Sequence, residues 1–88
     1  MIKISGSIIK KTKIISEEIV SSTTDGSYQD KLKECITEIC YRLDIEKPYW
    51  LPNNLEEYNK RNKTSFDEHN FVDEIAFDKF VIEEIEEI

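Results

Sequence analysis

The segment Ser27-Tyr28-Gln29-Asp30-Lys31-Leu32-Lys33-Glu34-Cys35-Ile36-Thr37-Glu38-Ile39-Cys40-Tyr41-Arg42-Leu43-Asp44 decides the fold. Its apolar residues Leu32, Cys35, Ile36, Ile39, Cys40 and Leu43 recur at i, i+3, i+4, i+7, i+8 and i+11. That spacing lines one side of an α-helix of about four to five turns. Lys31, Lys33, Glu34, Thr37, Glu38 and Arg42 fall on the other side. Ser27, with an acid three residues on at Asp30, is a variant of the capping box that starts helices. Pro48 marks the end, because the residue before a proline avoids helical backbone. One apolar stripe must be covered by something, and the flanking sequence supplies a sheet.

Toward the N-terminus, Met1 to Val20 reads as a β-hairpin. Ile2, Ile4 and Ile8 share one face, with Gly6 in the same register. Lys10-Lys11-Thr12-Lys13 is the polar turn, and Ile14, Ile15, Ile19 and Val20 form the second strand. The β-branched content favours strand over helix. The doublets Ile8-Ile9 and Ile14-Ile15 predict a bulge or burial on both faces. The turn has no Asn-Gly or Asp-Gly, so the sequence leaves its register open. Ser21 to Gly26 is a loop rich in turn residues.

Toward the C-terminus, Pro48 and Pro52 bracket the apolar loop Tyr49-Trp50-Leu51. Asn53 can cap a short helix, with Glu56 three residues on and Leu55 and Tyr58 on one face. Lys60-Arg61-Asn62-Lys63 reads as a basic connector. Ser65, with Glu68, reads as the cap of a second short turn that puts Phe66 and His69 on one side and ends at Phe71-Val72. The last residues carry two periods. Phe77, Phe80, Val81, Glu84, Ile85 and Ile88 have helical spacing, whereas Phe80, Ile82 and Glu84 alternate as a strand. A strand over residues 79–86 is the expectation, because an isolated two-stranded hairpin is marginal and a third strand would complete it. Glu83, Glu84, Glu86 and Glu87 would then charge that strand and discourage edge pairing.

The 88 residues allow one domain. Nineteen acids against twelve basic residues give a net charge of -7. Residues 1–16 hold Lys3, Lys10, Lys11 and Lys13 and no acid, whereas residues 67–88 hold nine acids and only Lys79. This acidity argues against direct binding of nucleic acid, which needs Lys and Arg to displace counterions. It equally disfavours an anionic membrane surface. No run approaches the ~18 apolar residues of a membrane span. The N-terminus has no signal-peptide pattern, so the cytoplasm is the expected location. Cys35 and Cys40 sit five apart on a helix, beyond the ~7 Å that a disulfide can bridge between Cα atoms. Both are expected as packed, free thiols.

No motif specifies a reaction. Gly6 and Gly26 are the only glycines, so there is no phosphate-binding loop. His69 has Asp67, Glu68 and Asp73 nearby in sequence, but convergence of three or four ligands is needed for a metal. A cysteine nucleophile would need a lowered pKa, and burial on the helix face raises it. The expectation is a non-catalytic domain without cofactor or metal. Tyr49 and Trp50 are the candidate contact residues, since Trp and Tyr are enriched at interface hot spots. The favoured reading is that Trp50 and Leu51 fold back to cap the open end of the core, which leaves Tyr49 the more exposed of the two aromatics. Glu83, Glu84, Glu86 and Glu87 are candidates for steering a basic protein partner. An acidic inhibitor or immunity-type protein is one version of that reading. A self-associating structural protein, in which the exposed C-terminal strand or the apolar loop forms a homodimer, is the alternative, and a small metal protein or enzyme around His69 ranks last.

Leu43-Asp44-Ile45, Pro48-x-Trp50-Leu51, Thr64-x-Phe66 and Phe71-Val72-x-Glu74-Ile75-x-Phe77-Asp78 together resemble a small family of uncharacterised bacterial proteins. The resemblance covers the second half best and the Ile-rich hairpin and helix loosely. Members of that family commonly carry an acid where Ala76 stands. The resemblance implies a strand over Phe80–Ile85 and makes the Trp-Leu loop part of the fold's pattern. It brings no activity and no site residues.

The expected fold class is α+β: an antiparallel sheet of the N-terminal hairpin and a C-terminal strand, packed on the helix Ser27–Asp44, with two short helical turns. The expected core is Ile2, Ile4, Ile8, Ile15, Ile19, Leu32, Cys35, Ile36, Ile39, Cys40, Leu43, Trp50, Leu51, Phe66, Phe71, Ile75, Phe80 and Ile82.

Overall fold

The Ile-rich N-terminus pairs with itself through strands β1 (Ile2–Lys10) and β2 (Lys13–Ser22) in a computed structural model that describes residues 1–23 and 25–87, except the side chains of residues 86 and 87. Lys11 and Thr12 both take left-handed backbone, with φ of 52° and 65°. They close a two-residue turn between the paired Lys10 and Lys13. Two left-handed residues twist the turn to match its strands, a geometry that Asn-Gly ordinarily supplies. Here the Lys11 N–H donates to Asp78 Oδ2 at 2.8 Å. The distant end of the chain thus helps to hold a turn that its own residue types do not favour.

The chain continues through α1 (Tyr28–Leu43), α2 (Pro52–Arg61), β3 (Lys63–Phe66), a single 3-10 turn (Glu68–Asn70) and β4 (Lys79–Glu87). The C-terminal segment is a strand, as its alternation predicts. The sheet order is β2-β1-β4-β3, with every neighbouring pair antiparallel. The fold class is α+β.

Two expectations about the sheet are corrected. Of the basic connector, Lys60 and Arg61 end α2, Asn62 caps it and only Lys63 enters β3, which also takes in Ser65 and Phe66; Asp67, not Ser65, caps the following turn by accepting from the His69 N–H at 2.9 Å. In addition, β4 is flanked by β1 and, up to Glu83, by β3, so the edges are β2 and β3.

One face of this sheet carries the core. Ile2, Ile4 and Ile8 of β1, Phe80 and Ile82 of β4, Phe66 of β3 and Val20 of β2 are all buried. Cys35, Ile36, Ile39 and Cys40 of α1 pack onto them. Each fully buried side chain of this kind contributes about 1.5–3 kcal/mol. Gly6 sets how closely the helix approaches. A Cβ there would lie 2.5 Å from Ile39 Cγ2 and 3.0 Å from Phe80 Cε1. The Ser27 hydroxyl caps α1 by accepting from the Asp30 N–H at 3.2 Å. Asp44, in left-handed backbone at φ 57°, ends it.

Ile15 and Ile19, expected in the core, are 56% and 49% exposed. A bulge explains Ile15: Ile8 pairs with Ser16 and Ile9 with Ile14, so Ile15 has no cross-strand partner. Ile19 pairs with Ser5 on the face that no helix covers, and its neighbour Val20 turns inward opposite Ile4. Leu32, Leu43, Trp50, Leu51 and Ile75 are half-buried. Phe66 and His69 do not share a side, since Phe66 is buried and His69 exposed.

Candidate functional site

Two concave surfaces flank the loop that contains Tyr49 and Trp50. The first forms where the chain passes from β3 to β4. Asp67, Glu68, Asp73, Glu74 and Asp78 surround a hollow of about 740 Å³ with Phe71, Ile75 and Phe77 in its walls. The Phe71 and Phe77 rings meet edge to face at 5.7 Å. The backbone here is fixed by polar side chains in place of regular structure. Glu46 Oε1 accepts from the N–H groups of Val72 at 3.0 Å and Asp73 at 3.2 Å. Asp78 accepts from Lys11 N–H. His69 is exposed, with its Nε2 3.9 Å from Glu68 Oε1. Among the described residues, no three His, Cys, Asp or Glu side chains are placed to hold a metal ion.

A pair of buried asparagines ties this hollow to the Trp loop. Asn70 Oδ1 accepts from Asp67 N–H at 3.0 Å, and Asn70 Nδ2 donates to the Tyr49 carbonyl at 2.7 Å and to Asn54 Oδ1 at 2.8 Å. Tyr49 N–H in turn donates to the Asn70 carbonyl at 2.7 Å. Asn54 Oδ1 also accepts from Leu51 N–H at 3.1 Å, and its Nδ2 donates to Thr64 Oγ1 at 3.0 Å and to the Ser65 carbonyl at 2.9 Å. Asn54 thereby uses both its acceptor and donor atoms while 1% exposed, the condition under which a buried amide is tolerated. It caps α2 from the third helical position, with Pro52 first, where proline costs no hydrogen bond. The sequence reading assigned that cap to Asn53.

The second surface is an apolar groove of about 360 Å³ between α1 and α2, with Leu32, Ile36, Trp50, Leu55 and Tyr58 among its lining residues. Trp50 is a wall of this groove. Its ring stands edge-on to Tyr58 at 5.6 Å and to Phe66 at 5.2 Å. Beneath it, the Tyr28 and Tyr58 hydroxyls are 2.8 Å apart, and Tyr28 donates to Glu84 Oε1 at 2.9 Å. Burial, then the hydrogen bonds to Tyr58 and Glu84, raise the Tyr28 pKa above its ordinary value. The phenol stays protonated and keeps donating.

The candidate contact residues therefore separate. Tyr49 is 61% exposed and sits beside the acidic hollow. Trp50 and Glu84 are linked through Tyr58 and Tyr28. Glu84 is held inward by Tyr28 and by Asn62 Nδ2. Glu83 is exposed and pairs with Ser5 and Lys63 on the uncovered sheet face. The side chains of Glu86 and Glu87 lie outside the described residues. Cys35 and Cys40 are free and buried. Burial pushes both thiols up to about 11, with Glu34 adding to the rise at Cys35 and Lys47 opposing it at Cys40.

Sequence reasoning missed Asn54, Asn70, Tyr28 and the hollow itself. The signal for Asn54 was Pro52, which fixes the start of α2 and so makes Asn54 its third residue. No helix among the described residues is long and apolar enough to cross a membrane. No family model, curated protein or solved structure matches this chain.

Proposed function

We propose that this domain is a non-catalytic protein-binding module that takes a basic segment of a partner into the hollow at residues 67–78, in the manner of an acidic inhibitor or immunity-type protein. The observation that supports this reading is the composition of the hollow. Five carboxylates surround it, and among the described residues its lining has no Lys or Arg. Phe71, Ile75 and Phe77 offer apolar surface to the stems of Lys or Arg, which bury their methylenes while the charge meets acid. Exposed Tyr49 stands alongside as an aromatic contact. Charge of one sign in a concave site speeds encounter with the opposite sign.

An octalysine peptide is the first probe, titrated by calorimetry at low and at physiological salt. Glu68 and Glu74 are exposed and can be reversed without disturbing the backbone contacts of Asp67, Asp73 and Asp78. The double variant Glu68→Lys/Glu74→Lys should bind at least about tenfold more weakly at low salt, and wild-type binding should fall steeply as salt screens the charges. Equal affinity for wild type and variant, or no peptide binding at low salt, would sink the reading. The exposed isoleucines of β2 favour a second reading, self-association.

A further inference from the structure

Strand β2 is a ten-residue edge with no strand on its outer side among the described residues. Ile14, Ile15 and Ile19 are 60%, 56% and 49% exposed along it. Long apolar edges usually carry devices that prevent pairing, above all charge. Here Glu17 and Glu18 are the charged residues of the regular segment 16–22. Both lean back onto their own chain. Glu17 Oε2 accepts from Ser7 Oγ at 3.0 Å on the uncovered face, and Glu18 lies 3.6 Å from Arg42 on the helix face.

We propose that the β2 edge is a self-association surface, where a second copy of this chain pairs antiparallel about a two-fold axis through Ile19. Three observations select that occupant and that register. The first is charge. Two-fold pairing centred on Glu17 or Glu18 sets like charges directly opposite, which destabilises a sheet. Centring on Ile19 sets Ile19 against Ile19, Glu18 against Val20, Glu17 against Ser21 and Ser16 against Ser22. No charge faces its own kind, and every pair keeps the observed facing of residues 16–22.

The second observation is helix spacing. Helix α1 rides on β1 and β2. Strands lie about 4.8 Å apart, so continuing the sheet through two β2 strands would set the two copies of α1 roughly 10 Å apart. That is a normal separation for packed helices. The trough between α1 and the β2 edge, which includes Val20, Ser21, Glu38 and Arg42 in its lining, is the space that the second copy would occupy.

The third observation is the charge order on the helix. Arg42 is level with Glu18, and Cys35 with Val20, to whose carbonyl its Sγ lies at 3.9 Å. Ile19 is therefore level with the region of Glu38, and the axis brings Arg42 of each α1 toward Glu34 of the other. Glu38 approaches its own kind there, but Arg42 of the same chain lies 3.6 Å away. An isologous contact of this type closes as a dimer instead of propagating as a fibre.

Sedimentation equilibrium of the full chain over a wide concentration range tests this. The wild type should reach twice the monomer mass. Ile19→Lys opposes two lysines and should weaken association at least about tenfold. Ile19→Asp alone should do the same. Because residue 19 meets itself only in this register, mixing the two variants should restore dimers that contain one of each. Far-UV circular dichroism checks that the variants fold. A wild type that stays monomeric up to millimolar concentration overturns the proposal without reference to any variant. So does a folded Ile19→Lys protein that dimerises as well as the wild type, or a mixture of folded variants that stays monomeric. None of these outcomes depends on octalysine binding, so this proposal and the acidic-hollow reading fail separately.

Discussion

The two faces of the sheet are made from the same kind of residue and have opposite fates. On the covered face, Ile2, Ile4 and Ile8 are 1%, 0% and 5% exposed. On the hairpin's other strand, Ile14, Ile15 and Ile19 are 60%, 56% and 49% exposed. Composition does not separate these two sets, since both are isoleucines in strands. What separates them is whether a helix can come close. Gly6 lies in the middle of the covered face and lets Ile39 and Phe80 into the space that a side chain would fill. On the uncovered face the corresponding space holds Ser5, Ser7 and Glu17, with a hydrogen bond between Ser7 and Glu17. A helix docked there would bury that polar pair.

The strongest way to break the contrast is to empty the covered face. Phe80 is fully buried, touches the Phe66 ring at 5.9 Å and lies beside Gly6. Phe80→Ala should cost about 3–5 kcal/mol in urea unfolding, by lost transfer energy and by the cavity left behind. Small domains have about 5–15 kcal/mol in total, so this variant should sit near its unfolding limit. A loss below 1 kcal/mol would mean that the core at β4 is not packed as described.

A smaller effect comes from overfilling the same face. Gly6→Ala places a methyl 2.5 Å from Ile39 Cγ2. The helix or the ring must move, at a cost of about 1–3 kcal/mol. Alanine also relieves the backbone entropy cost of glycine by about 0.5–1 kcal/mol, so the net loss should fall at the lower end. The double variant Gly6→Ala/Ile39→Leu keeps the side-chain volume but has no Cγ2 methyl, the atom that makes the clash. It should recover stability relative to Gly6→Ala, and a further loss would show that the contact is not the cause.

The covered face was largely legible in the sequence, because periodicity reports burial. Ile2, Ile4 and Ile8 alternate, Cys35, Ile36, Ile39 and Cys40 recur at helical spacing, and Phe80 and Ile82 alternate. Three features were not legible, each for a physical reason. Strand β3 is only Lys63–Phe66, too short for a period, and it exists because β4 offers it a partner. The facing of β2 depends on the bulge at Ile15, which shifts the strand by one residue and so reverses which side chains point inward. The hollow at 67–78 is shaped by Glu46, Asn70 and Lys11 acting across the chain, contacts that leave no local pattern. The candidate residues were legible only as types. Tyr49 is exposed, Trp50 became a wall of the groove, and Glu84 is occupied by Tyr28 and Asn62.

The smallest expected effect sharpens the comparison most. Ile14 is 60% exposed, pairs with Ile9 on the uncovered face and lies outside residues 16–22. Ile14→Ser should change folding stability by no more than about 0.5 kcal/mol, because little apolar area is withdrawn from water at that position. It should also leave self-association unchanged, since the register centred on Ile19 does not extend to it. Ile19→Ser, at similar exposure, should be equally mild for folding but should weaken association. Matched stability with divergent association would show that the β2 isoleucines differ by where the second copy sits. A large loss of stability from Ile14→Ser would instead mean that the face described as open is covered within the single chain.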